Sequence, residues 1–293
     1  MADHQVATRQ QAELLAATLP ALLLAAERVA AVVAQGVHGR RRVGTGETFW
    51  QYRRYQAGDE TTRIDWRRSA RSSHVFIRET EWEAAESVWL WCDCSPSMDF
   101  RSSKAPVLKA DRAALLILAL SVLLIRGGEH IALLGEDTRP ASGGAALGRM
   151  AARFEREGRA SSSLPSAEFL PRHAQVVLIG DLLSPLEAVE TLVRHYVGSG
   201  VKGHVMQIVD PAEETLPFTG RTRFEGLEGE GDLLIGRPES LRDDYTARFK
   251  AHRAGLADIM RSAGWSFAVH HTDRPAQAAL LSLYTAMAVQ SRR

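Results

Sequence analysis

Ser87-Val88-Trp89-Leu90-Trp91-Cys92 runs directly into Asp93-Cys94-Ser95-Pro96-Ser97-Met98. The first six residues are β-branched, aromatic or apolar without polar alternation, as in a strand buried on both faces. The next six hold a carboxylate, two hydroxyls and a proline, the chemistry of a tight turn. Working outward, Ala105–Ile125 reads as a long apolar helix, stopped by Gly127-Gly128. His130–Leu134 reads as a second strand, Ala145–Glu157 as a helix, and Ala174–Ile179 as a third strand. Pro185–Tyr196 is the next helix, Lys202–Val209 a fourth strand, Ser240–Ser262 a helix, Trp265–His270 a fifth strand and Pro275–Val289 a last helix. Strands alternating with helices of this length imply parallel crossovers, so the fold expected is α/β with a doubly wound, mostly parallel sheet.

Pro211–Pro238 breaks the alternation. It is glycine-rich, with Arg221–Glu225 and Asp232–Ile235 as hairpin strands around Gly226–Gly231. We therefore expect an inserted hairpin at about 211–238 within an α/β domain covering 81–293. Residues 1–80 divide into an Ala/Leu-rich helical part and, from Gly36 to Thr80, an Arg- and aromatic-rich part of loops and short strands. Ten Arg between positions 40 and 78 face Glu47, Asp59, Glu60 and Asp65, a local excess of six positive charges.

Composition closes off several classes. The 293 residues carry 36 Lys plus Arg against 35 Asp plus Glu, a net charge of +1. No global field draws the chain to nucleic acid or anionic lipid. Hydrophobic residues at 45% and charged residues at 24% are ordinary for a globular protein. The two cysteines, Cys92 and Cys94, are too close for an unstrained disulfide, which points to a reducing compartment. The longest apolar runs, Leu14–Ala26 and Ala113–Ile125, have 13 residues each. A bilayer needs about 20, so no membrane span is expected and the location read here is cytoplasmic.

Ligands of open α/β sheets bind beyond the carboxyl ends of the strands, where strand order reverses. There the first strand ends in Asp93-x-Ser95-x-Ser97, and the third in Gly180-Asp181-Leu182-Leu183-Ser184. Ser161-Ser162-Ser163 lies just before the third strand. Carboxylate and hydroxyl oxygens without nitrogen or sulfur suit a hard divalent cation, Mg²⁺ or else Mn²⁺ or Ca²⁺. The candidate ligands are Asp93, Ser95, Ser97 and Asp181, with Ser162 or Ser163 completing the set. The plain alternative is that both aspartates only cap turns.

Two resemblances follow from these residues. Asp93-x-Ser95-x-Ser97, a hydroxyl loop and then Asp181 resemble the metal-ion-dependent adhesion site of von Willebrand factor A domains. Phe49-Trp50-Gln51-Tyr52-Arg53-Arg54-Tyr55-Gln56-Ala57-Gly58-Asp59, with Arg63-Ile64-Asp65-Trp66-Arg67-Arg68-Ser69-Ala70-Arg71, closely resembles the signature of the domain-of-unknown-function 58 family. The likeness covers roughly residues 36–290 and includes Gly220–Glu225 and His271-Thr272-Asp273. It implies a von Willebrand factor A-like domain that binds protein through a metal ion, in partnership with a MoxR-type AAA+ ATPase and in a chaperone-like or assembly role. Within the signature, Asp59 and Asp65 sit among Arg53, Arg54, Arg63, Arg67, Arg68 and Arg71 and are expected to fork onto them, with Trp66 buried.

No catalytic residue is read. A Mg²⁺-dependent phosphatase of the haloacid dehalogenase type needs an acid two residues after its aspartate, where this chain has Ser95. Walker A and Gly-x-Ser-x-Gly motifs are missing from the sequence. The competing readings are a metal-dependent hydrolase at the same rim, and a metal-free adaptor that takes an acidic partner on its Arg-rich segment.

Overall fold

The structure is a computed structural model. It describes residues 21–37, 48–55, 64–72, 74–81, 87–137, 139–155, 162–227, 229 and 231–290. Helix α1 (Ala21–Val37) is followed by strand β1 (Thr48–Arg54), a single helical turn α2 (Trp66–Ser69) and strand β2 (Phe76–Glu81). The α/β alternation comprises β3 (Ser87–Cys92), α3 (Lys109–Arg126), β4 (His130–Leu133), α4 (Gly144–Glu155), β5 (Gln175–Gly180), α5 (Leu186–Gly198) and β6 (Lys202–Val209). A short helix α6 (Pro211–Thr215) and strands β7 (Thr222–Glu225) and β8 (Asp232–Ile235) come next. The chain then forms α7 (Arg242–Ser262), β9 (Ser266–His271) and α8 (Ala276–Gln290).

The central sheet has five strands in the order β4-β3-β5-β6-β9, and every pair in it is parallel. Trp89 pairs with Ala132 on one side and Val176 on the other. The chain steps from β3 outward to β4, then returns to β5 on the opposite side of β3. Strand order therefore reverses between β3 and β5, and the crevice at their carboxyl ends is the topological switch point.

Side chains of β3 alternate between two cores. Val88 and Leu90 meet Leu116 and Leu120 of α3 on one face. Trp89 and Trp91 join Leu192, Tyr196, Leu256 and Trp265 on the other, packed under α5 and α7. Helix α3 is apolar nearly all round because it is covered twice: the sheet lies on one side, and α1 with α8 lies on the other. On α1, Leu23, Ala26, Ala30 and Val33 recur at helical spacing and are buried against it. Burying a Leu or Val contributes about 1.5–3 kcal/mol, so α1 is a third layer of this core rather than an appendage. The stop at Gly127-Gly128 is a Schellman cap. Glu129 N–H donates to Leu124 O, Gly128 N–H donates to Ile125 O, and Gly128 takes φ +91°.

Two small antiparallel pairs lie outside the sheet. β1 pairs with β2, and β7 with β8 through the Gly226–Gly231 turn. The segment 211–238 is thus only partly a hairpin, since its first five residues form α6.

Candidate functional site: an oxygen-lined crevice at the switch point

Asp93 is the first residue past β3. Its N–H donates to Ile179 O at 2.8 Å, which extends the β3–β5 pairing by one step. Its Oδ1 accepts the Ser95 N–H at 2.8 Å, closing an Asx turn, and Pro96 then starts a 3₁₀ turn over Pro96–Asp99. That turn aims both serines back at the sheet. Ser97 Oγ donates to Asp181 Oδ2 at 2.8 Å, and Ser95 Oγ lies 3.0 Å from Ser97 Oγ. A hydroxyl has one proton, so Ser95 is the donor to Ser97. Asp93 and Ser95 are fully buried and Asp181 is 2% exposed.

Two backbone features bring the aspartates this close. A Cβ on Gly180 would lie 2.5 Å from Asp93 Cβ and 2.8 Å from its Oδ2, so only glycine allows β5 to pass the Asp93 side chain. Leu182 adopts φ +53°, an uncommon conformation for a branched residue. It is held there because Gln207 Nε2 donates to Asp181 O at 2.9 Å and His252 Nε2 donates to Leu182 O at 2.8 Å. Local strain fixed by its surroundings is typical of functional loops.

The charge is not balanced by oxygen chemistry alone. Lys109, at the start of α3 and fully buried, places Nζ 3.0 Å from Asp181 Oδ2 and 2.5 Å from Glu213 Oε1. Burial works against its charge, but Asp181 and Glu213 outweigh that and hold its pKa above the ordinary lysine value. Glu213 is pushed up by burial, against the pull of Lys109. Its Oε2 accepts the Asp210 N–H at 2.8 Å, completing a capping box on α6. Asp93 is raised from 3.8 to about 7, first by burial and then by the charge of Asp181. Its Oδ2 is buried without a hydrogen-bond partner.

Three carboxylates and one ammonium leave two uncompensated negative charges when all are ionised. An unpartnered buried carboxylate oxygen beside two hydroxyls and a second carboxylate is a donor set that fits a hard divalent cation. No cluster of three or more His, Cys, Asp or Glu side chains with metal-holding geometry occurs among the described residues, so any such site here depends on hydroxyl oxygens.

Asp93, Ser95, Ser97 and Asp181 therefore meet in one crevice. The two serines of the loop before β5 have different partners. Ser162 is exposed and donates to Leu164 O within its own loop. Ser163 Oγ lies 2.8 Å from Ser184 Oγ, tying that loop to the one carrying Asp181. Sequence reading missed Lys109 and Glu213. One signal for Lys109 was available: a cation in the first turn of a helix opposes the helix dipole and needs another reason to be there.

In the Arg-rich signature, Asp59 and Arg63 lie outside the described residues, as does the side chain of Arg53. Trp66 is 65% exposed, which corrects the expectation that it is buried. The cause is local. Trp66 opens the single turn of α2, whose folding is fixed by polar contacts: Asp65 Oδ1 accepts the Arg68 N–H and Ser69 Oγ accepts the Phe76 N–H. Arg67, Arg68, Arg71, Asp65, Ser72 and Phe76 line a cavity of about 430 Å³ beside it. The His270-His271 pair is structural. Arg112 donates to Thr272 O and Arg274 O and lies 3.3 Å from His270 Nε2, while His271 meets Glu214 at 2.6 Å.

Fold and crevice together define a doubly wound α/β protein with an oxygen-lined rim at its switch point. The chain belongs to the family described as "Protein of unknown function DUF58", which it matches over residues 51–255. An uncharacterized protein of Mycobacterium bovis is 27% identical over 285 residues, covering 89% of this chain and 86% of that protein. Uncharacterized proteins of two Mycobacterium tuberculosis strains match to the same extent. Among solved structures, the conserved hypothetical protein BatB from Bacteroides thetaiotaomicron aligns with a TM-score of 0.41 and 13% identity, over 70% of this chain and 99% of that one. An aerotolerance-related membrane protein from Bacteroides fragilis aligns with a TM-score of 0.41 and 12% identity, over the same shares of the two chains. No helix among the described residues is long and apolar enough to cross a membrane.

Proposed function

We propose that this chain is a metal-ion-dependent protein-binding module. Asp93, Ser95, Ser97 and Asp181 would hold Mg²⁺ or a similar ion, with Ser163, which is tied to the loop carrying Asp181 through Ser184, preferred over Ser162. The ion would supply an electrophilic position for a partner's carboxylate. One observation carries this reading: the buried, unpartnered Oδ2 of Asp93 in a crevice where the carboxyl groups of Asp93, Asp181 and Glu213 share the single ammonium of Lys109. The partner class follows from the family likeness: a MoxR-type AAA+ ATPase, in assembly or maturation of other proteins. A binding role without catalysis is proposed because Ser95 stands where a phosphatase would place its second acid.

Isothermal titration with Mg²⁺ and Mn²⁺ tests the ion. Wild type is expected to bind one ion and Asp93→Ala none; equal heats in both remove the reading. Surface plasmon resonance against the MoxR-type ATPase of the same organism, in Mg²⁺ and in EDTA, tests the partner. Binding indifferent to EDTA favours a second reading. In that reading an acidic partner sits against the exposed Trp66, Arg67 and Arg71 around the 430 Å³ cavity, independently of any metal.

A further inference from the structure

We propose that Lys109 sets the affinity of the switch-point crevice for divalent cations, acting as a tethered cation shared between Asp181 and Glu213. This rests on the metal-binding reading above and goes beyond it by naming the residue that tunes the site.

The geometry is specific. Asp181 Oδ2 accepts from Ser97 Oγ at 2.8 Å and from Lys109 Nζ at 3.0 Å. A divalent ion held by that oxygen competes directly with an ammonium that has no exposure to water. Lys109 cannot leave for solvent. It can only shift its weight onto Glu213, which it already meets at 2.5 Å. Glu213 is also tied to its own helix, since its Oε2 accepts the Asp210 N–H while Asp210 Oδ1 and Oδ2 accept the N–H groups of Ala212 and Ser102. The ammonium therefore links the crevice to the N-terminus of α6. Cation binding is opposed by a charge the fold supplies itself.

Mn²⁺ titration followed by electron paramagnetic resonance tests this in wild type, Lys109→Met, Glu213→Gln and Asp93→Ala. Removing a unit positive charge beside the ion is expected to tighten Mn²⁺ binding at least about tenfold in Lys109→Met. Glu213→Gln, which leaves the ammonium wholly to Asp181, is expected to weaken binding by a similar factor. A residue that merely holds the fold together would not move affinity in opposite directions in these two variants. Should Lys109→Met fail to fold, Lys109→Gln, which removes the charge but keeps a polar group between Asp181 and Glu213, decides in its place, with tighter binding than wild type supporting the proposal and unchanged or weaker binding overturning it. Ion binding that needs Asp93 but is the same in wild type and both tuning variants overturns the role of Lys109 and leaves the proposed function standing. Absence of binding in wild type and in Lys109→Met overturns both.

Discussion

Asp93→Asn should make the metal-free protein more stable at alkaline pH while removing its response to Mg²⁺. The folded chain raises the Asp93 pKa from 3.8 to about 7, chiefly by burial. A group with a raised folded pKa stabilises the fold below its unfolded value and loses that contribution as pH rises through the folded value. Ionising Asp93 in the metal-free fold therefore costs about 4 kcal/mol by pH 8, or about 2–4 kcal/mol once the surroundings relax. Asparagine keeps the acceptor for the Ser95 N–H and escapes that cost. Urea denaturation in EDTA should show wild type and variant close below about pH 4, diverging between the unfolded value of 3.8 and the folded value of about 7, with the variant ahead by about 2–4 kcal/mol at pH 8. Mg²⁺ at about a hundred times its dissociation constant should return about 2.7 kcal/mol to wild type and nothing to the variant. A variant less stable than wild type at pH 8 in EDTA, or a gap that does not change with pH, refutes the reasoning.

Three further outcomes are expected. His204 is fully buried between Ser266 and Gln175, and burial lowers its pKa from 6.5 to about 4. Stability should fall as pH drops from 6.5 toward 4, by up to about 3 kcal/mol from this group, and urea midpoints of His204→Asn should depend less on acid over that window. Gly180→Ala places a methyl 2.5 Å from Asp93 Cβ, so calorimetry should show about 1–3 kcal/mol of destabilisation together with loss of the Mg²⁺ heat. Trp66→Ala, at a side chain 65% exposed, should leave thermal stability within about 0.5 kcal/mol of wild type, and a larger loss would mean that the indole is packed in solution.

The strand Ser87–Cys92, the glycine stop after α3 and the order of alternating elements were legible in the sequence because each depends on local chemistry. A continuous apolar run, a residue able to take positive φ and a helical period are properties of neighbours along the chain. The Asp93-x-Ser95-x-Ser97 turn was legible for the same reason, since an Asx turn and a proline at the first helical position form within six residues. The tertiary structure alone decided what faces that turn. Asp181 is 84 residues from Ser97, and Glu213 is 104 residues from Lys109. Only the pairing of β3 with β5 and the packing of α3 against the sheet bring them together. The sequence placed Lys109 within the helix read over Ala105–Ile125 and assigned it no role; the structure starts that helix at Lys109 and buries it at the switch point, where an ammonium cut off from water must find carboxylates inside the fold.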